Sequence, residues 1–379
     1  MIYFDAAATT LEKPRQVREA MAAAVSTMSS PGRGGHAAAR RAEETAYQCR
    51  SEAAELFGVG DPGRVVFTAN ATHALNIAIR TLVDPGSRVA ISGLEHNAVT
   101  RALHAVPGIQ IHVVPTPQFQ PETALQAFEQ ALREDVDAVV CTHVSNVFGC
   151  ILPVEGISAL CRSRGVPLIV DASQSAGVLP LDLSALGADF VAMPGHKGLY
   201  GPQGTGLLLC GREDVKPLLY GGTGSASRRQ EMPPALPDRL EAGTHNMPGI
   251  AGLLEGIRFV RRTGIGKLCA HERRLMRRAA AALGEIPGVR LWASEDPLTQ
   301  TGVLSFDVPG RDCEEIGRLL AERGIAVRAG LHCAPLAHRT AGTLESGTVR
   351  LSFSAFNTIG QVNQFIAVLR GILRENVTL

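Results

Sequence analysis

The stretch PLIVDASQSAGVLPLDLSALGADFVAMPGHKGLYGP, residues 167–202, decides the fold. Pro167 to Val170 is an apolar run of strand length that leads into an acid, Asp171. Phe190 to Met193 is a second such run, and it ends in the glycine-rich turn Pro194-Gly195-His196-Lys197-Gly198. The unit reads as strand, helix, strand, with an acid and a lysine at the carboxyl ends of two buried strands of one sheet. A plainer reading makes Asp171 a cap for the next helix, and a lone lysine is more often on the surface. Against that, a carboxylate straight after a fully apolar strand is either desolvated or paired with a cation.

Working outward, similar runs occur at Arg64–Phe67, Arg88–Ile91, Ile109–Val114, Asp137–Thr142 and Gly206–Leu209, separated by helical patterns at Thr72–Leu82, Pro121–Leu132 and Val154–Cys161. Alternation of this kind predicts an α/β fold with a mostly parallel seven-stranded sheet covered by helices, whose ligand site lies at the carboxyl ends of the strands. From about Pro248 the pattern becomes helical, Ile250–Arg262 then Ala270–Leu283. Strands follow at Val289–Trp292, Gly302–Val308, Ile325–Val327 and Thr348–Phe353, with helices at Cys313–Arg323 and Gly360–Arg374. The expected organisation is an N-terminal segment (1–15) packing with the small domain, a large domain (16–250), connecting helices (251–283) and a small α+β domain (284–379).

With 379 residues, 45% hydrophobic, the chain can bury a full core, and a net charge of +1 gives no field that favours nucleic acid or a membrane surface. No apolar run approaches the roughly 20 residues needed to span a bilayer, and no basic segment with an apolar stretch opens the chain, so a cytoplasmic protein is expected. Eight scattered cysteines without C-x-x-C pairs argue against disulfides and a zinc site; no metal is expected.

An acid and a lysine at neighbouring strand ends suit pyridoxal 5′-phosphate (PLP). A lysine holds its aldehyde as an imine, and an acid keeps its pyridine nitrogen protonated. Asn70-Ala71-Thr72-His73 offers helix N-terminal N–H groups and the Thr72 hydroxyl to a phosphate, though alone it is equally an ordinary cap. His96, in Glu95-His96-Asn97, stands at the same sheet edge, where its imidazole could stack on a flat ring or simply be a satisfied side chain.

Seven ordered motifs now resemble one family, the class V aminotransferase-fold cysteine desulfurases and selenocysteine lyases. They are Asp5–Thr10, Glu95–Asn97, His143–Gly149, Asp171–Gln174, Gly195–Pro202, Glu241–Thr244 and Arg328–Pro335, and they span nearly the whole chain. The resemblance implies fold type I, with Lys197 as Schiff-base lysine, Asp171 on the pyridinium nitrogen, His96 stacked over the ring, and Gln174 and Asn146 beside it. Thr72, His73 and His196 would hold the phosphate, with Thr244 reaching it from a second subunit, so that a homodimer shares its active sites. Arg350 would grip the substrate carboxylate. Asn146 and Arg328 would also contact the substrate, L-cysteine or L-selenocysteine.

Cys333 would be the nucleophile that receives sulfur as a persulfide, before a possible acceptor protein takes it. Arg328, His332 or the cofactor site would help its thiol ionise. The compact His332-Cys333-Ala334-Pro335 form resembles the branch with a short catalytic loop. Two departures stand out. Pro194 replaces a hydroxyl residue common before Gly-His-Lys, with Thr205 or Ser225 as candidate substitutes, and Leu331 replaces a frequent polar residue. Selenocysteine cleavage and C–S β-elimination are the alternatives on the same fold, and a non-catalytic sulfur carrier or scaffold is the alternative of another class. A dinucleotide fingerprint at Gly32–Ala37 is weak, because no apolar strand precedes it.

Overall fold

The computed structural model describes residues 1–32 and 34–375; Arg33, inside the Gly32–Ala37 run, and residues 376–379, at the end of the expected small domain, lie outside the described residues. The strands are β1 (Ile2–Tyr3), β2 (Val65–Thr68), β3 (Arg88–Ser92), β4 (Gln110–Val114), β5 (Ala138–Thr142), β6 (Leu168–Asp171), β7 (Phe190–Pro194), β8 (Gly206–Cys210), β9 (Arg290–Trp292), β10 (Val303–Asp307), β11 (Ile325–Ala326), β12 (Arg328–Gly330) and β13 (Thr348–Ser352). The helices are α1 (Arg15–Thr27), α2 (Ala37–Leu56), α3 (Ala71–Leu82), α4 (Asn97–His104), α5 (Pro121–Ala131), α6 (Val154–Arg164), α7 (Leu183–Leu186), α8 (Met247–Thr263), α9 (Ile265–Gly284), α10 (Cys313–Glu322), α11 (Pro335–Ala341) and α12 (Ile359–Glu375).

The central sheet has seven strands in the order β2-β8-β7-β6-β5-β3-β4, parallel except for β8, which runs against both its neighbours. Strands β5, β6 and β7 are buried at every position, which is why they read as continuous apolar runs and not as alternating ones. Each large side chain sealed here, such as Phe190 or Ile169, contributes about 1.5–3 kcal/mol. The register Thr142↔Asp171↔Ala192 brings the ends of β5 and β6 level, with β7 running two residues further. The strand-end residues and the turns that follow them therefore share one edge.

Four strands, β12-β13-β10-β9, form a second, antiparallel sheet with its own apolar cluster around Leu304, Phe306, Leu351 and Phe365. Helix α8 packs its Met247, Ile250 and Leu253 into the core of the large sheet, whereas α9 gives Leu275 and Ala279 to the second cluster. The N-terminal segment crosses between the two. β1 pairs with β11, Asp5 bridges to Ser352, and Phe4 stacks edge-on against Phe353 at 5.0 Å. Two short strands, β1 and β12, and four helices, α1, α2, α4 and α11, go beyond the periodicity reading. β1 and β12 are too short to show a period, and α1 and α2 are rich in alanine, which hides an apolar stripe.

Beneath the open edge of β2, Arg50 of α2 makes a two-pronged ion pair with Glu241, at 2.7 and 2.6 Å. Glu241 also accepts from the Phe67 amide and from His245 Nε2, each at 2.6 Å. Burial pushes this carboxyl up, but Arg50 and His245 outweigh it and hold the group below the ordinary carboxylate value. Its contribution to stability is present at neutral pH and lost as pH falls through the lowered folded value. Replacing Arg50 by Met leaves a buried carboxylate short of its main partner, and should destabilise the protein by about 3–5 kcal/mol. A lowered urea-unfolding midpoint at neutral pH would read this out.

Candidate active site

A cavity of about 110 Å³ opens at the carboxyl ends of the central strands, lined among others by Thr72, His96, Asn146, Asp171, Gln174, Pro194, His196 and Lys197. Each side chain is delivered by a strand end or by the turn after one. Asp171 ends β6 and is buried, its Oδ1 accepting from the Ser173 amide at 2.9 Å. Lys197 follows β7, in a turn closed by Gly201 N to Gly195 O at 2.8 Å. Glycine is required there: a Cβ on Gly198 would lie 2.4 Å from the Ala176 carbonyl oxygen.

Desolvation sets the charges. Burial pushes the Lys197 ammonium down to about 8; Asp171 opposes this, while Arg350 and Arg328 add to it. Burial likewise pushes His96 down to about 4, against the pull of Asp171, and His196 down to about 4, helped by Lys197 and Lys13. Both imidazoles are therefore neutral at pH 7. His96 Nδ1 accepts from the Ala98 amide at 3.0 Å, capping α4, so its proton sits on Nε2.

The amino end of α3 forms one wall. Asn70 caps it through the His73 amide at 2.9 Å, leaving the first-turn N–H groups for a ligand. Gly206 on β8 permits this approach, since a Cβ there would lie 2.7 Å from the Asn70 carbonyl carbon and from Thr68 Oγ1. His73 does not face the first cavity. With Thr244 it lines a neighbouring one of about 210 Å³, and its Nε2 is buried without a hydrogen-bond partner. Neither candidate substitute for a hydroxyl at Pro194 lines the first cavity: Thr205 Oγ1 donates to the Pro202 carbonyl at 2.6 Å, and Ser225 Oγ is bonded to Asp238.

The second sheet closes the site from above. Arg328 and Arg350 stand directly opposite each other on β12 and β13. Arg350, 2% exposed, gives Nη1 to the Asn146 carbonyl at 2.9 Å and Nη2 to Asp5 Oδ1 at 2.6 Å, while its Nε is buried without a partner. Cys333, exposed and with φ +55°, follows His332 at φ +51°. Asn146 Nδ2 donates to the His332 carbonyl and the Asn97 amide to the Cys333 carbonyl, both at 2.8 Å, which pins the cysteine turn onto the large sheet's edge. Arg328 Nη2 lies 3.9 Å from Cys333 Sγ. Gln174 Nε2 donates to the Ala7 carbonyl at 2.9 Å; the second N–H of that amide remains for a ligand.

Three groups escaped the sequence reading of roles. Asp5, the partner of Arg350, lies within a motif already singled out. Glu95, beside His96, is fully buried, pushed up to about 8 by burial, and accepts from Ser92 Oγ at 2.5 Å and the Thr142 amide at 2.7 Å. Lys13, pushed down to about 8 by burial, donates to Thr10 Oγ1 at 2.5 Å and to the His196 carbonyl at 3.0 Å; nothing in its sequence context marks it.

The aminotransferase class-V family model matches residues 2–365. A probable cysteine desulfurase of Mycolicibacterium paratuberculosis is 34% identical over 98% of this chain, which spans 55% of that relative's length. One from Methanothermobacter thermautotrophicus is 31% identical over 95% of this chain and 92% of its own. Among solved structures, the apo cysteine desulfurase of Thermococcus onnurineus NA1 superposes with a TM-score of 0.89 at 30% identity, covering 99% of this chain and 95% of the other. A cysteine desulfurase from Escherichia coli carrying an S-sulfonic acid gives 0.85 at 28%, covering 98% and 94%. With strand-end acid and lysine, fold and motif order in agreement, the chain belongs to the class-V aminotransferase family.

Proposed function

We propose that this chain is a PLP-dependent cysteine desulfurase that converts L-cysteine to L-alanine and takes the sulfur onto Cys333 as a persulfide. The observation that carries the reading is the placement of an exposed thiol, with a guanidinium 3.9 Å from its sulfur, on a turn pinned over the cavity that holds Asp171 and Lys197. The chain spans little more than half of the mycobacterial relative, so the reaction is inferred from the site.

The cavity fits PLP. It joins a desolvated lysine and a buried carboxylate to free N–H groups at the start of α3 and to His196 Nδ1, which is buried without a partner. Lys197 would hold the aldehyde carbon, Asp171 the ring nitrogen, His96 one ring face, and Gln174 and Asn146 its edge; Thr72 and His196 would meet the phosphate. When bound, PLP supplies an electron sink for the pair released at the substrate Cα. Lys197, poised near pH 8, is suited to take the Cα proton. Arg350 would hold the substrate carboxylate, using the N–H groups that Asp5 and Asn146 leave free. Cys333 Sγ, as thiolate beside Arg328, would attack the substrate sulfur. An S–S bond then forms, the Cβ–S bond breaks, and its electrons stay on the substrate, which takes up a proton on its way to alanine.

The wider organisation is proposed on the same footing: a homodimer in which Thr244, on the neighbouring cavity, serves a second copy's phosphate; the domain division 1–15, 16–250, 251–283 and 284–379; a cytoplasmic location; and transfer of sulfur to an acceptor protein. Among the described residues no helix is long and apolar enough to cross a membrane.

Cys333→Ala should retain the PLP absorption band and lose alanine formation from L-cysteine by about 10³-fold or more; pyruvate in place of alanine, or undiminished alanine, would indicate a different lyase. Uptake of PLP by the cofactor-free protein needs the neutral Lys197 amine. Its rate should rise with pH through about 8 and then level off, as followed by the growth of a borohydride-sensitive band. Lys197→Ala should show no such band.

A further inference from the structure

His332 precedes the nucleophile, and sequence reasoning offered it as a helper for thiol ionisation. Its ring is turned away from that task. Nδ1 lies 3.3 Å from His338 Nε2, and Nε2 lies 3.3 Å from the Arg328 carbonyl oxygen. His338, 0% exposed, has its other nitrogen, Nδ1, 2.8 Å from Thr343 Oγ1. The two rings are 11° from parallel, and Phe148 packs on His338 at 5.9 Å.

The protons on this chain are determined by its ends. A carbonyl oxygen only accepts, so His332 Nε2 must carry a proton. Burial and the charges of Arg350, His338 and Arg328 outweigh the Arg328 carbonyl contact and disfavour a charge on His332, and burial holds His338 down to about 4 against a backbone contact with Thr343. A neutral His332 protonated on Nε2 has a lone pair on Nδ1, which needs a proton from His338 Nε2. His338 Nδ1 then accepts from the Thr343 hydroxyl, whose other contact, to the His338 carbonyl, is longer at 3.4 Å. The opposite polarity would set a lone pair of His332 against the Arg328 carbonyl, an uncompensated buried clash.

Resting on the desulfurase reading, we propose that Thr343, His338 and His332 form a one-way hydrogen-bond chain, Thr343→His338→His332→Arg328 carbonyl. The chain holds the His332-Cys333 turn in its left-handed conformation and exchanges no proton with the thiol. The need for such a device is physical. Two consecutive non-glycine residues at φ +51° and +55° are disfavoured and persist only where surrounding bonds impose them. The backbone anchors from Asn146 and Asn97 fix the two carbonyls of the turn. The ring chain fixes the side on which His332 is buried, and hence the side on which Cys333 emerges. Thr343, His338 and His332 are thus positioning residues.

The test compares wild-type holoenzyme with His338→Phe, which keeps the bulk and removes both ring nitrogens, and His338→Gln, which keeps a donor for His332. In His338→Phe, kcat for alanine formation should fall about 10- to 100-fold with KM and the PLP band unaltered. His338→Gln should recover most of it. Cys333 is the exposed cysteine and the other seven are buried, so the pH profile of alkylation by iodoacetamide reads its thiol directly. Its midpoint should be the same in all three proteins. Undiminished kcat in His338→Phe, no recovery in His338→Gln, or a midpoint displaced by about one pH unit would overturn the proposal. Should His338→Phe fail to fold, ring ¹⁵N spectra of the wild-type holoenzyme decide: both rings uncharged and protonated on Nε2 support the chain, and a charged or Nδ1-protonated ring at either site overturns it. Alkylation and ring spectra need no turnover, so a protein that forms no alanine would refute the desulfurase reading while leaving the chain to be judged on its own.

Discussion

Arg350 is a cation sealed inside protein, and such burial is tolerable only with a close counter-charge and further hydrogen bonds. Asp5 is that counter-charge, on an N-terminal segment that belongs to neither sheet's strand order by itself. From Asp5 the segment continues through Ala7, whose carbonyl receives Gln174, to Thr10, whose hydroxyl reaches the His196 carbonyl at 3.0 Å. One ion pair thereby ties the buried arginine of the second sheet to the lysine turn of the first. It also relieves the confrontation of Arg350 with Arg328 across the β12-β13 ladder, where like charges directly opposite would repel.

Removal of water from this region does most of the electrostatic tuning. The same burial that brings the Lys197 ammonium toward neutrality keeps His96 and His196 uncharged and raises the Glu95 carboxyl. Lys197, still charged below pH 8, shares the positive character of the site with Arg328 and Arg350, whose guanidinium groups remain charged in proteins. That division suits a ligand with a phosphate and a carboxylate. Neutral donors and a helix end match the one, and a fixed cation the other.

The architecture was readable because buried parallel strands write themselves as unbroken apolar runs. All seven strands of the central sheet fall within a residue or so of the runs that announce them, and residues at or after the ends of β2, β3, β5, β6 and β7 line the cavity. Less visible were features that depend on contacts between distant segments. Asp5 meets Arg350 across 345 positions of chain, and His338 acquires its meaning only from the ring beside it. The left-handed turn at His332-Cys333 was hidden for another reason. Neither residue is a glycine, so nothing in their chemistry signals positive φ. His73 shows the converse limit: one position from Thr72 on a helix is a rotation of about 100°, enough to send its imidazole into a different cavity.

Gly206 sits on the one antiparallel strand of the large sheet and takes no part in any proposed step. By lacking a side chain it lets the Thr68–Asn70 turn settle against β8, so the mouth of α3 is shaped by sheet packing. Its N–H groups are aligned before anything arrives. A ligand entering there meets a rigid receptor, and the ordering entropy that a mobile loop would lose on binding has been lost already, during folding.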